Sequence, residues 1–156
     1  MNLKQNMGWL TAAVLLSCAG LLNAHEATRW TIASPDSIYW QVNGTHQDHI
    51  EMSGLKMSVV LRYGVNDRGE WMIDRNLILP TFRTIPNDTH GSLQHHFNGD
   101  WAHLCTVNGQ PLTGEKVETV SLSGFMTVRS IYADRGVALV RTLFPSASHP
   151  AFCEKY

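Results

Sequence analysis

The sequence predicts an all-β fold, an antiparallel β-sandwich, and three observations carry that prediction. No stretch after residue 25 keeps an apolar stripe at helical spacing over three turns. Short runs instead alternate apolar and polar residues with period two, as half-buried strands do. Gly, Asn, Asp and Pro punctuate those runs at the intervals of a small β-domain. Alternating strands bury one face each, so two sheets stacked face to face are the natural solution.

Taken in order, Trp40 to Val42 and His49 to Met52 read as two strands flanking Asn43-Gly44. Met57, Val59, Leu61 and Tyr63 then fall on one face of a strand that ends in the loop Gly64 to Gly69. Trp71, Ile73, Leu77 and Leu79 line the returning strand, and Pro80 should end it because proline cannot donate to a ladder. Leu104 to Val107 is a short strand before Asn108-Gly109, a strong two-residue hairpin signal. Val117 to Leu122 is a strand broken by Ser123-Gly124. Met126, Val128 and Tyr132 alternate before Ala133 to Gly136, and Val137, Leu139 and Leu143 alternate after it. The sum is roughly seven strands, typical of a sandwich. Thr84 to Ala102 is left as one long irregular stretch, and loops of that length are often functional.

Arg129 and Arg141 each interrupt an alternating strand and would lie nearly opposite across the Asp134-Arg135 turn. Like charges directly opposed need an anion between them. Glu118 or Glu154 on a neighbouring strand could supply it, as could a ligand, and an exposed face is the simpler account.

The N-terminus reads as an address. Lys4 precedes an uncharged segment with an apolar heart from Leu10 to Leu16, and Ala24 precedes polar His25-Glu26. That is the pattern of a secretory signal peptide over residues 1–24, followed by one domain over 25–156. Leu15-Leu-Ser-Cys18 approximates a lipobox, so Cys18 is a candidate for lipidation. The expected location is outside the cytoplasm, periplasmic or as an outer-membrane lipoprotein, with membrane contact only through the lipid anchor. Cys105 and Cys153 could pair in an oxidising compartment, or stand as two independent thiols. A net charge of −1 argues against nucleic acid as a partner.

Eight histidines invite a metal reading, since imidazole is a common ligand. His46 and His49 sit three apart, and His90, His95, His96 and His103 gather late, but no His-Glu-x-x-His or paired-cysteine motif appears. Adjacent His95 and His96 would point to opposite faces of an extended strand. Carboxylates such as Asp67, Asp74, Asp100 and Glu118 are scattered singly, and no pair has the spacing that glycoside hydrolysis requires. There is no Gly-x-Ser-x-Gly and no glycine-rich phosphate loop. No catalytic residue, metal or cofactor is expected in this chain. The segment Arg83 to Leu93 could contact a polar ligand such as a sugar through Arg83, Asn87, Asp88 and His90, although a hydrogen-bonded corner between sheets is the simpler account. Trp71, Trp101 and Tyr63 could stack on sugars, but aromatics of a β-domain are commonly core; Trp101 joins the candidate substrate-binding set.

Several of these segments resemble a known family. Ile50-Glu-Met-Ser-Gly54, Ser58 to Gly64, Trp71 to Pro80 and Arg83-Thr-Ile-Pro-Asn-Asp-Thr-His90 are similar to the start of exported bacterial six-hairpin glycosidases, the α-L-rhamnosidase-like enzymes. Val140 to Ser146 and Pro150 to Glu154 resemble a late sandwich strand and the beginning of the next. In that family an N-terminal β-sandwich, supersandwich-like, precedes a catalytic (α/α)-barrel. The resemblance implies a non-catalytic sandwich supporting a barrel that acts on plant or host polysaccharide or oligosaccharide. Its partners would be carbohydrate and a downstream catalytic domain, and the acid and base would lie in the barrel. Ala151 to Tyr156 reads as a strand in progress, so a chain truncated at its C-terminus is expected. Two other expectations stand beside this one: a free-standing carbohydrate-binding module and a His-rich periplasmic metal-binding protein.

Overall fold

The computed structural model describes residues 29–80 and 92–156. Among them the chain forms an all-β sandwich of antiparallel sheets. Strands β1 (Thr31–Ser34) and β2 (Ser37–Gln41) open the first sheet. The chain then crosses to the second sheet for β3 (His46–Ser53), β4 (Ser58–Val65), β5 (Trp71–Leu79) and β6 (Leu93–Asn98). A 3-10 turn (Trp101–Leu104) and the small ribbon β7 (Thr106–Val107) and β8 (Gln110–Pro111) lead back. The first sheet is completed by β9 (Glu115–Leu122), β10 (Met126–Tyr132), β11 (Val137–Pro145) and β12 (Phe152–Lys155). Its order is β1-β2-β9-β10-β11-β12, and the second sheet is the meander β3-β4-β5-β6.

The apolar alternation read from sequence becomes the space between the sheets. Val59 and Leu61 of β4 and Val120, Met126 and Val128 of β9 and β10 are fully buried, with Trp40 and Leu143 beside them. Each such side chain contributes about 1.5–3 kcal/mol through removal from water. Tyr63 and Trp71 stack across β4 and β5 with ring centroids 5.7 Å apart, so both are core residues.

Turn chemistry sets the registers. Asn66 Oδ1 accepts the amide hydrogens of Arg68 and Glu70, each at 2.9 Å, which closes the β4–β5 loop. Asn108 and Gly109 both take positive φ, 51° and 74°, as a type I′ hairpin between β7 and β8 requires.

Three expectations are corrected, and of the two alternatives open for the cysteines the free thiols are the ones seen. The stretch from Thr84 to Ala102 is not all irregular, since β6 pairs with β5 along Leu93 to Asn98. Every residue of β6 is exposed, and polar residues fill four of its six positions, so its alternation carried little apolar signal. Leu104 belongs to the 3-10 turn, and the strand expected from it starts only at Thr106. Arg129 is opposite Val140 and Arg141 is opposite Val128. That one-residue offset sends the two arginines to opposite faces of the sheet. Cys105 and Cys153 are separate, half-buried free thiols, so the bridge considered between them is not formed.

Candidate functional site

The outer face of the second sheet carries a polar surface assembled by its four strands. Registers place His49 opposite Arg62, Arg62 opposite Asp74, and Asn76 opposite His96. These positions are the polar complement of the buried apolar stripe, because successive side chains of a strand point to opposite faces. Two adjoining depressions lie on this face, of about 530 and 370 Å³, and both are lined by Arg62 and Asp74. Together they make one trough across the strands. Val60, Met72, Asp74 and Asn76 form a half-buried floor, with exposed Gln47 and His49 on the β3 side and His96 on the β6 side.

The hydrogen-bonding groups of the trough are unevenly matched. His96 Nε2 lies 2.5 Å from Asp74 Oδ1, an oxygen with no other donor among the described residues. Asn76 Nδ2 donates to Gln94 Oε1 at 3.3 Å. The Arg62 guanidinium, exposed at the centre, makes no ion pair or hydrogen bond with the described residues. A fork of five N–H donors therefore faces the trough unoccupied by protein acceptors.

A second polar assembly is buried between the sheets. Arg141, only 1% exposed, donates from Nε and Nη2 to the Asp100 carboxylate at 3.2 and 2.5 Å. Its Nη1 donates to Ser130 Oγ at 2.9 Å, and Nη2 faces Glu115 Oε1 at 2.8 Å. Glu115 also accepts the backbone N–H of Trp71 at 3.1 Å. Arg75 forms a forked pair with Glu154 and donates to the Gly99 carbonyl at 2.7 Å. The Tyr156 hydroxyl lies 2.9 Å from Glu154 Oε2 and 3.2 Å from Asp100 Oδ1, joining the two arginine clusters.

Electrostatics follow this packing. Burial alone would lower the Arg141 pKa, but the Asp100 hydrogen bond and the Glu115 and Asp100 charges outweigh it and raise it. Burial, with Glu115 beside it, pushes the Tyr132 hydroxyl up to about 12. Burial and then the Glu154 and Asp100 carboxylates raise Tyr156 as well. Asp100 and Glu154 accept from arginine and tyrosine donors, while Glu115 pairs with Arg141 by charge and accepts the Trp71 backbone N–H. These pairs tie Arg75 to Glu154 and Arg141 to Asp100 and Glu115.

The sequence-derived candidates divide. Arg83, Asn87, Asp88 and His90 lie outside the described residues, as do Cys18 and the segment 1–24. Trp101 is described and is 42% exposed, unlike Trp71 and Tyr63. It sits on the 3-10 turn with its ring centroid 6.2 Å from that of His103, whose Nδ1 is bonded to the Asp100 carbonyl at 2.6 Å. Trp101 does not line the trough, so the described candidate and the trough are separate surfaces. Arg62, Asn76 and Gln47 were missed from sequence, although reading the polar partners of the apolar stripe would have found them. Among the described residues no group of three or more His, Cys, Asp or Glu side chains is placed to hold a metal ion. Nor is any helix there long and apolar enough to cross a membrane. Comparison with family models, with curated proteins and with solved structures returns no match.

Proposed function

We propose that this chain is the non-catalytic N-terminal β-sandwich of an exported bacterial glycoside hydrolase, supporting a downstream (α/α)-barrel that acts on polysaccharide or oligosaccharide. The observation that carries the reading is where the family-like segments fall. Residues 50–54, 58–64 and 71–80 make most of the β3-β4-β5 meander, the continuous middle of the second sheet. The assignment of these segments to a sandwich is therefore supported by their pairing with one another. The buried carboxylates add to it, because Glu154 pairs with Arg75 while Asp100 and Glu115 share Arg141. A scaffold role suits them better than acid–base chemistry.

The reading frame beyond the Tyr156 codon tests this most directly. A continuation encoding a helical barrel is expected, and a stop codon in the intact gene would overturn the proposal. A second arm assays the full chain against a panel of nitrophenyl glycosides. No release of nitrophenol is expected, and turnover by this chain alone would overturn its non-catalytic character. A free-standing carbohydrate-binding module is the second reading, favoured by exposed Trp101, since aromatic faces exposed at a β-domain surface can stack on sugar rings. The His-rich metal-binding expectation draws no support from the placement of the histidines among the described residues.

A further inference from the structure

We infer that the trough on the outer face of β3 to β6 binds an acidic saccharide, with Arg62 as the group that recognises its carboxylate. The inference rests on the carbohydrate reading above for the sugar, and on the trough for the acid.

Size comes first. A depression of about 530 Å³ adjoining one of about 370 Å³ accommodates a few sugar units laid across the strands, within the range of ligand clefts. The lining is then of the right kind. Sugars need donors and acceptors close together, and the trough offers the amides of Gln47 and Asn76, the imidazoles of His49 and His96, and the Asp74 carboxylate. Charge decides the class. Arg62 stands directly opposite Asp74 in the β4–β5 register, the position where a cross-strand ion pair would be expected. Asp74 instead engages His96 from the far side, and Arg62 keeps its whole fork unpaired among the described residues. Arg129, on the outer face of the other sheet, shows the contrasting outcome, since it is taken by Glu118.

An unpaired guanidinium in a hydrogen-bonding trough fits a planar, two-oxygen anion, for which the fork supplies two parallel N–H donors. A uronic acid carboxylate has that shape on a sugar ring. His49, directly across from Arg62 on β3, is placed to bond the neighbouring hydroxyls. Diffuse attraction to polyanions is a poor alternative, because the chain as a whole carries a net charge of −1.

Affinity electrophoresis of the full chain tests this in gels containing polygalacturonate, galactomannan or polyglutamate. Retardation is expected in polygalacturonate alone. Arg62→Ala should weaken it by ~10–100-fold, the loss expected when a charge-assisted bidentate contact is removed. Arg62→Lys should fall between, because it keeps the charge and loses the fork, and Arg129→Ala, which removes an exposed arginine from the other sheet, should migrate as the parent does. Equal retardation in polyglutamate would reduce the effect to charge and overturn the inference. Retardation in galactomannan alone would overturn the acidic class while leaving carbohydrate binding in place. Unchanged retardation of Arg62→Ala, or none in any gel, would also overturn it. The glycosidase proposal fails separately, through the reading frame. Arg62 is exposed, and circular dichroism of both variants checks that folding is intact.

Discussion

Beside Arg62, three further arginines occupy strands of this protein, and their surroundings assign them different energetic roles. Arg75 and Arg141 are almost wholly buried and each holds carboxylates that would otherwise be desolvated and unpaired. Removing one partner of such a pair costs ~3–5 kcal/mol, because an uncompensated buried charge remains. Arg129 and Glu118 are both about two-fifths exposed, and an exposed pair of that kind is worth at most about 1 kcal/mol. Urea denaturation should therefore separate Arg75→Ala and Arg141→Ala, each losing several kcal/mol, from Arg129→Ala, which should lose little. Equal losses across the three would show that burial does not govern them. The tyrosines give a pH signature at the same scale. Tyr63 and Tyr132 are each pushed up to about 12, chiefly by burial, against about 10 for an unfolded tyrosine. Between those values the unfolded chain gives up protons that the folded chain keeps, so ionisation favours unfolding. Their contribution should be intact below pH ~10 and lost as the pH climbs toward about 12. Tyr63→Phe should flatten that alkaline decline in a stability–pH profile, and an unchanged profile would contradict the assignment.

The strands themselves were legible in proportion to how cleanly their residues alternate. The β4–β5 and β10–β11 hairpins could be read because Val59, Leu61, Met126 and Val128 repeat at period two and end in turn residues. Arg75 and Arg141 sit at inward positions of those same strands; sequence reading passed over Arg75 and took an exposed face as the simpler account of Arg141. Polarity alone cannot reveal that a charge is buried with its partner, because Glu154 and Asp100 come from elements 79 and 41 residues away in the chain. The trough was illegible for a related reason: its residues come from four strands, and only pairing brings them to one face. Close pairing also explains Gly64. A Cβ there would come within 2.2 Å of the His46 carbonyl and 3.0 Å of Gln47, so alanine would force β3 away from β4. At Gly109 an added Cβ meets open space, and the cost is only the positive φ, about 1–2 kcal/mol for a residue with a side chain. Gly64→Ala should accordingly lower the denaturation midpoint more than Gly109→Ala. The reverse order would mean that the β3–β4 contact can relax.

Over the whole molecule, stability should be graded from the centre of each sheet to its edges, and the trough spans that gradient. β4 and β5 lie inside the second sheet, as β9 and β10 lie inside the first, and they supply most of the buried core. β1 and β6 are edge strands whose residues are all exposed. Strands with few buried apolar contacts open at low free energy, whereas central ones open only with the whole domain. Native-state hydrogen exchange should then show the amides of β1 and β6 exchanging first and those of β4 and β10 last. Equal protection of β6 and β4 would refute the gradient. Arg62 and Asp74 thus stand on the rigid interior strands, while His96 comes from a looser edge and His49 from the opposite edge strand β3. A ligand seated on Arg62 that also engages both edges would tie β3 and β6 to the centre. Exchange from β6 should slow when polygalacturonate oligomers are added, and it should not slow in Arg62→Ala. Slowing that survives the substitution would place the ligand somewhere other than the trough.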